Sequence, residues 1–259
     1  MGLPPTNPQL LDWLATEFVR QGWSVKQMQR LILNSETYKM ASVYYQAANA
    51  EKDPTNIYLW RFPIRRLEAE IMRDLILSAS GQLNLEAGGP AFFPSIPKSV
   101  REGYRQGRWE VTKEDPSTWR RSIYSYWKRG MKYPMFDVHD QPDSNTTAEK
   151  RNITTVPTQA LTLLNNEFVL IQARHFADRV LSAAGNDPAK QVKEMYRIAL
   201  SRNPTPRELD ENLSFLKTQR DAEAAHVSGS NAAGANPDLS ALTDLADIVL
   251  NTNEFVYVN

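Results

Sequence analysis

Asp137, His139, Asp140 and Asp143 crowd into "FDVHDQPDSN", and Arg151 follows a short way on. Carboxylates with one imidazole have the residue types for acid–base chemistry, or for holding a hard cation. The spacing does not fit a calcium loop, which needs acids at alternate positions and a glycine. Asp and Asn beside Pro commonly bond their own backbone, so a turn is the expectation here. No metal site is expected. The enzymatic alternative is a polar centre of Asp140, Asp143 and Arg151 acting on polysaccharide.

A second charged set lies in "RRLEAEIMRD": Arg65, Arg66, Glu68, Glu70, Arg73 and Asp74. Such a set can bind an anion or a polar ligand, or pair internally on a solvated helix face. Arginine forks match carboxylates in two-point fashion, so these residues are also suited to pinning a neighbouring segment to a helix. Arg65, Arg66 and Glu70 are kept as candidate binding residues.

A third set is aromatic and basic. Between Arg101 and Lys132 there are nine Lys or Arg against four Asp or Glu, interleaved with Trp109, Trp119, Tyr124, Tyr126 and Trp127. Flat apolar faces beside cations can stack sugars or bases. The same rings could form a minor core of their own. Trp109, Tyr124, Tyr126 and Trp127 are the binding candidates. No Gly-rich phosphate loop, G-x-S-x-G elbow or pair of His at ligand spacing occurs.

The elements that must position these groups are mostly helical. Asn7 caps a helix with Pro8 first and Gly22 at its end; Ser24 and Gln27 open a second through Leu33. A third helix is expected from Pro63, with Ile64, Leu67, Ile71 and Leu75 as its apolar stripe and Gly81 as its stop. Residues 82–151 form an irregular insert, in which "RWEVTK" and "RSIYSYW" suggest a small β-hairpin. Pro157 opens what reads as the longest helix, to about Ala184. A helix from Pro188 to Ser201 follows, then one opened by the Thr205–Glu208 capping box. Residues 226–238 read as a flexible loop, with Asp238 capping the last helix.

One phrase recurs: "LILNSETYKM", "LLNNEFVLI" and "VLNTNEFVYV". Each runs an apolar helix into Asn and then an aromatic. Asn suits a helix end, either in the left-handed region or by bonding nearby backbone; in the middle copy the helical pattern continues, so Asn165 reads as a kink or a cap between two helices.

The totals exclude several classes. The chain has 259 residues and 30 basic against 30 acidic side chains, so the charge excess typical of a nucleic-acid binder is missing. It has no cysteine, which rules out disulfides, thiolate catalysis and covalent haem attachment in this chain. No apolar run approaches the roughly 18 residues of a membrane span. The expected architecture is a single, mainly α domain over 1–259, orthogonal in its helix packing, with a small β-hairpin in the aromatic-rich middle.

"NPQLLDWLATEFVRQGWSVKQMQRLILNSETYKMAS", "RRLEAEIMRD", "GGP", "RRSIYSYWKR", "QPDSNTTAEKRNITTVPTQALTLLNNEFV" and "LNTNEFVYV" occur in that order. In this the chain resembles the C-terminal domain of large planctomycete and verrucomicrobial proteins, the domain of unknown function fifteen-fifty-three. The resemblance covers almost the whole chain. It implies an exported parent protein, periplasmic or extracellular, with a companion domain and often a cytochrome c domain upstream, and a setting in polysaccharide handling or electron transfer. It implies no cofactor in this chain; haem c would sit elsewhere in the parent. It implies no established reaction or catalytic residue. Family domains begin earlier, so this chain is expected to lack their N-terminal segment, and His139 stands where the family tends to place Phe. The reading that follows is a non-catalytic binding or scaffolding module, with the companion domain, or a glycan, as partner, and neither nucleic acid nor membrane.

Overall fold

Local capping chemistry sets most helix boundaries. The structure, a computed structural model, describes residues 4–97, 109, 114–148, 150–229 and 236–258. It is mainly helical, with a small two-stranded antiparallel sheet. The chain divides into two compact units, Met1–Arg66 with Tyr257–Asn259, and Leu67–Val256.

The first unit holds α1 (Pro8–Arg20), α2 (Val25–Leu33) and α3 (Ala47–Lys52), with β1 (Arg65–Arg66) paired to β2 (Tyr257–Val258). Asn7 Oδ1 accepts from the Leu10 N–H, Pro8 takes the first helical position, and Gly22 closes α1 at φ 67°. Burial in this unit is inverted: its buried described residues are Glu17, Ser42, Asp53 and Arg66. Asp53 earns its place by bonding, since its carboxylate accepts from the Ile57 and Tyr58 N–H groups at 2.9 and 2.8 Å.

The second unit carries α4 (Ala69–Ser80), α5 (Pro134–Val138), α6 (Pro157–Leu164), α7 (Glu167–Ala184), α8 (Pro188–Leu200), α9 (Pro206–Gly229), α10 (Pro237–Leu250) and α11 (Asn253–Val256). Helix α7 packs on α4, α8 and α10, and α9 packs on α8 and α10. The core lies among them: Met72, Ile76, Phe176, Met195, Leu242 and Leu245 are each at most 1% exposed.

Several boundaries differ from the sequence expectation. Helix α4 begins at Ala69, not near Pro63, because Arg65 and Arg66 are taken into the sheet. Its buried face is Ala69, Met72, Arg73, Ile76, Leu77 and Ser80, while Ile71 and Leu75 are exposed. The apolar stripe was misplaced because the inner face includes an arginine. The described part of the middle segment holds no hairpin. "RWEVTK" lies outside the described residues except for Trp109, and Ser122–Tyr124 is a 3-10 turn. Side chains of α4 bind the Ser122 N–H and the Arg120 carbonyl, groups that a hairpin ladder would have used. The β structure is the β1–β2 pair instead.

The expected helix from Pro157 to Ala184 is two. Asn165 ends α6 and Asn166 caps α7, whose Phe168 N–H it binds at 2.9 Å. The longest described helix is therefore α9, with 24 residues, opened by reciprocal bonds between Thr205 and Glu208. It also takes residues 226–229 out of the expected flexible loop; 230–235 lie outside the described residues. Asn236, not Asp238, caps α10, because the proline at the first helical position puts the cap one residue earlier.

The recurring phrase is one device used three times. Asn34, Asn165 and Asn251 each end a helix with negative φ, so none uses the left-handed region. Each donates Nδ2 to the carbonyl four residues back, on Arg30, Leu161 and Asp247, at 2.8 Å in every case. The neighbouring Ser35, Asn166 and Thr252 then accept from the backbone N–H of Tyr38, Phe168 and Phe255. One polar pair thus stops a helix and starts the next turn. Asn165→Ala removes the exposed Leu161 cap and is expected to lower stability by about 0.5–1 kcal/mol in urea unfolding.

Candidate functional site

The second unit's polar chemistry centres on Arg73. It sits on the buried face of α4 at 0% exposure, its guanidinium 5.0 Å from the Phe92 ring centroid and 4.8 Å from that of Phe168. Its Nη2 donates to the Thr118 carbonyl at 2.6 Å, and Nη1 to the Arg120 carbonyl at 3.0 Å. One helical residue on, Asp74 accepts the Ser122 N–H at 2.7 Å and faces Arg121. On the exposed side of α4, Glu70 takes Arg151 in a two-point pair at 2.7 and 2.8 Å, and Glu68 meets Arg151 at 3.0 Å. Charges spread over about two helical turns, from Glu68 at the N-cap to Asp74, therefore pin the middle segment and the 151 region to α4.

Beside Arg73 lie two more ionisable groups. Burial pushes the Glu114 carboxyl up, against the pull of the Arg73 charge, and Glu114 Oε2 accepts from Trp119 Nε1 and Thr118 Oγ1 at 3.3 Å each. Burial also raises the Tyr133 phenol and draws the Arg73 guanidinium down. A cleft of about 450 Å³ opens here, with Glu114, Tyr133, Thr158, Thr162 and Phe168 among its described walls. A carboxyl shifted toward its neutral form beside a phenol can donate hydrogen bonds, or a proton, to a polar ligand. Sequence reading missed this cluster. The available signal was a charge at position 73 in register with Ala69, Met72, Ile76, Leu77 and Ser80.

A second, open groove of about 520 Å³ lies on the other side of α4. Glu70, Ile71 and Asp74 form one wall, and Arg121, Ile123 and Trp127 the other. Trp127 and Ile123 are 42% and 74% exposed.

The sequence candidates fall apart by location. Asp143 is exposed and closed into its own turn, accepting from the N–H and Nδ2 of Asn145, whose bonds hold its carboxyl below the usual range. Asp140, at φ 64°, binds the Thr154 N–H and hydroxyl at 2.8 Å. Arg151 is committed to Glu70 and Glu68. Asp140 is near enough to help raise the Arg151 guanidinium, after Glu70 and Glu68, whereas the partner shown for Asp143 is Asn145. Arg65 and Arg66 lie in β1, in the other unit, with Arg66 buried. Trp109 is buried and donates to the Pro94 carbonyl at 2.9 Å. Tyr124 is spent internally: its hydroxyl accepts the Gly88 N–H, and Arg120 stacks on its ring while donating to the Gly88 and Pro90 carbonyls. Tyr126 stacks on Phe93 at 4.3 Å. Of the binding candidates, the open groove brings together Glu70 and Trp127. Among the described residues no group of three or more acidic or His side chains could hold a metal ion, and no helix is long and apolar enough to cross a membrane.

The first unit presents a different surface. An apolar groove of about 630 Å³ runs along α1 and α2, lined by Leu10, Trp13, Leu14, Ile32, Tyr38 and Phe62 among others. Trp23, Tyr45 and Tyr58 are also exposed, at 66%, 70% and 83%.

Neither a curated protein nor a solved structure matches the chain. One family does, PSD1, described as protein of unknown function (DUF1553), over residues 1–216. With five-sixths of its length matched, the chain belongs to that family.

Proposed function

We propose that the chain is a non-catalytic docking and scaffolding module whose first unit mates with an apolar protein surface. The observation behind this reading is the inverted burial of that unit. Its buried described residues are all polar, while Trp13, Ile32, Tyr45 and Tyr58 lie in solvent. Solvent-facing apolar groups in such number mark an interaction surface. Burying apolar area contributes about 25 cal/mol per Å², so covering this face is the largest stabilisation open to the unit. The proposed partner is a companion domain of the same parent protein. That choice, the extracytoplasmic setting and a haem c carried elsewhere in the parent rest on the family resemblance alone.

Photo-crosslinking in the producing cell tests this, from a benzoylphenylalanine placed at Trp13. The expected product is one recurrent apolar protein segment, lost when Ile32→Glu is added. Adducts to lipid, to a second copy of this chain, or scattered over many proteins would overturn the reading.

A further inference from the structure

We propose that the groove between α4 and the 121–127 segment is a subsite for one unit of a neutral carbohydrate chain. It lies wholly within the second unit and is independent of the docking reading. Three features carry it. The Trp127 ring, 42% exposed, lines one wall as a flat apolar face, with the exposed side chains of Ile123 and Ile71 lining the same groove. Sugar rings present C–H faces that suit such a surface, in the way aromatic rings generally take apolar faces.

The polar groups opposite are already fixed. Arg151 holds both oxygens of Glu70, and the Ser122 N–H holds one oxygen of Asp74. A carboxylate oxygen accepts more than one hydrogen bond, so each keeps acceptor capacity for a hydroxyl. Because these side chains are ordered before binding, a ligand loses little free energy in arranging them. The third feature is the Arg121 side chain, 55% exposed and only loosely held to Asp74 at 3.4 Å, which can donate to a ring or hydroxyl oxygen. Stacking face, fixed acceptors and a movable donor together match a polyhydroxylated ring. A nucleobase would use the ring but has few hydroxyls to meet the carboxylates. An anionic sugar would meet Glu70 and Asp74.

Isothermal titration and saturation-transfer NMR on the full chain test this with cellohexaose, xylohexaose, mannohexaose and chitohexaose. At least one should bind. Trp127→Ala should weaken it by about tenfold or more, the loss of roughly 1.4 kcal/mol. Trp127→Phe should restore part of the affinity, and Ile123→Lys should block it. Both positions are surface ones, so an unchanged melting temperature confirms that the fold is intact. No binding by any of the four sugars overturns the proposal. So does affinity that survives both Trp127→Ala and Ile123→Lys, or occupation of the groove by a Lys-Leu hexapeptide when no sugar binds.

Discussion

Arg73→Ala should lower the stability of the chain by about 3–5 kcal/mol, the range for removing one member of a buried, hydrogen-bonded charge system. Deleting the side chain strips the Thr118 and Arg120 carbonyls of their donor and leaves a void between Phe92 and Phe168. An unpartnered buried carbonyl costs about 1–3 kcal/mol, and two are affected. Glu114 would lose the nearby positive charge that opposes its desolvation, so its carboxyl should shift further toward the neutral form. Arg73→Lys keeps the charge but not the fork that reaches two carbonyls at once, so it should recover less than half of the loss. Arg73→Met fills the space without satisfying the carbonyls and should fall between. Guanidinium unfolding gives the free energies. Amide exchange should show residues 118–125 loosening first, since Arg73 and Asp74 hold that stretch to α4. A loss under about 1 kcal/mol, or exchange at 118–125 no faster than in the parent chain, would show that Arg73 is not the pin.

What the sequence made legible was local. Asn7, Ser24 and the Thr205–Glu208 pair could be read because a cap depends on neighbours within one turn. Gly81 could be read as the stop of α4 for the same reason. It sits at φ 78°, with Arg179 donating to the adjoining Ser78 and Ala79 carbonyls. The pinning role of "RRLEAEIMRD" was legible as chemistry, through two-point pairing, though not which arginine would be inside. The middle segment was misread because its backbone partners lie far earlier in the chain: Asn84 and Phe92 bond the Trp119, Tyr124 and Tyr126 backbone, and Asp74 on α4 holds Ser122 across a separation of 48. Alternation of Ile, Tyr and Trp suggested strands, and tertiary bonds overrode it. The site divides in the same way. Residue type made Trp127 and Glu70 candidates, but not that the two line one open groove. That Trp109 and Tyr124 were used up internally was not readable, because exposure is set by whatever packs above a ring. Nor could the Glu114–Tyr133 cluster be found, since neither residue is unusual until Arg73 is placed beside it.

Asp247→Asn should stabilise the chain at pH 8 and have little effect at pH 3.5. Asp247 lies on α10, and burial together with the neighbouring Asp244 pushes its carboxyl up to about 6. Gln219 holds Asp244 at 2.7 Å, and Asn251 Nδ2 reaches Asp247 at 3.2 Å, a bond that works against the upward shift without cancelling it. In the unfolded chain an aspartate titrates near 3.9. Between those values the folded state holds a proton that the unfolded state lacks, so stability falls as pH rises through about 6. Above that the folded chain carries the full cost of a half-buried charge facing a like charge. Allowing for solvent screening at a half-exposed site, the difference is about 1–2 kcal/mol. Below pH 4 both states are protonated and the amide gains nothing. The measurement is unfolding free energy of both chains at a series of pH values, because their difference removes the titration of every other carboxylate. Asp244→Asn should produce a smaller gain of the same sign, by removing the second cause alone. A difference that is flat from pH 4 to pH 8, or that grows toward acid, would mean that Asp247 is ionised in the fold without penalty. The α9–α10 packing would then have to hold that charge by a route other than Asn251.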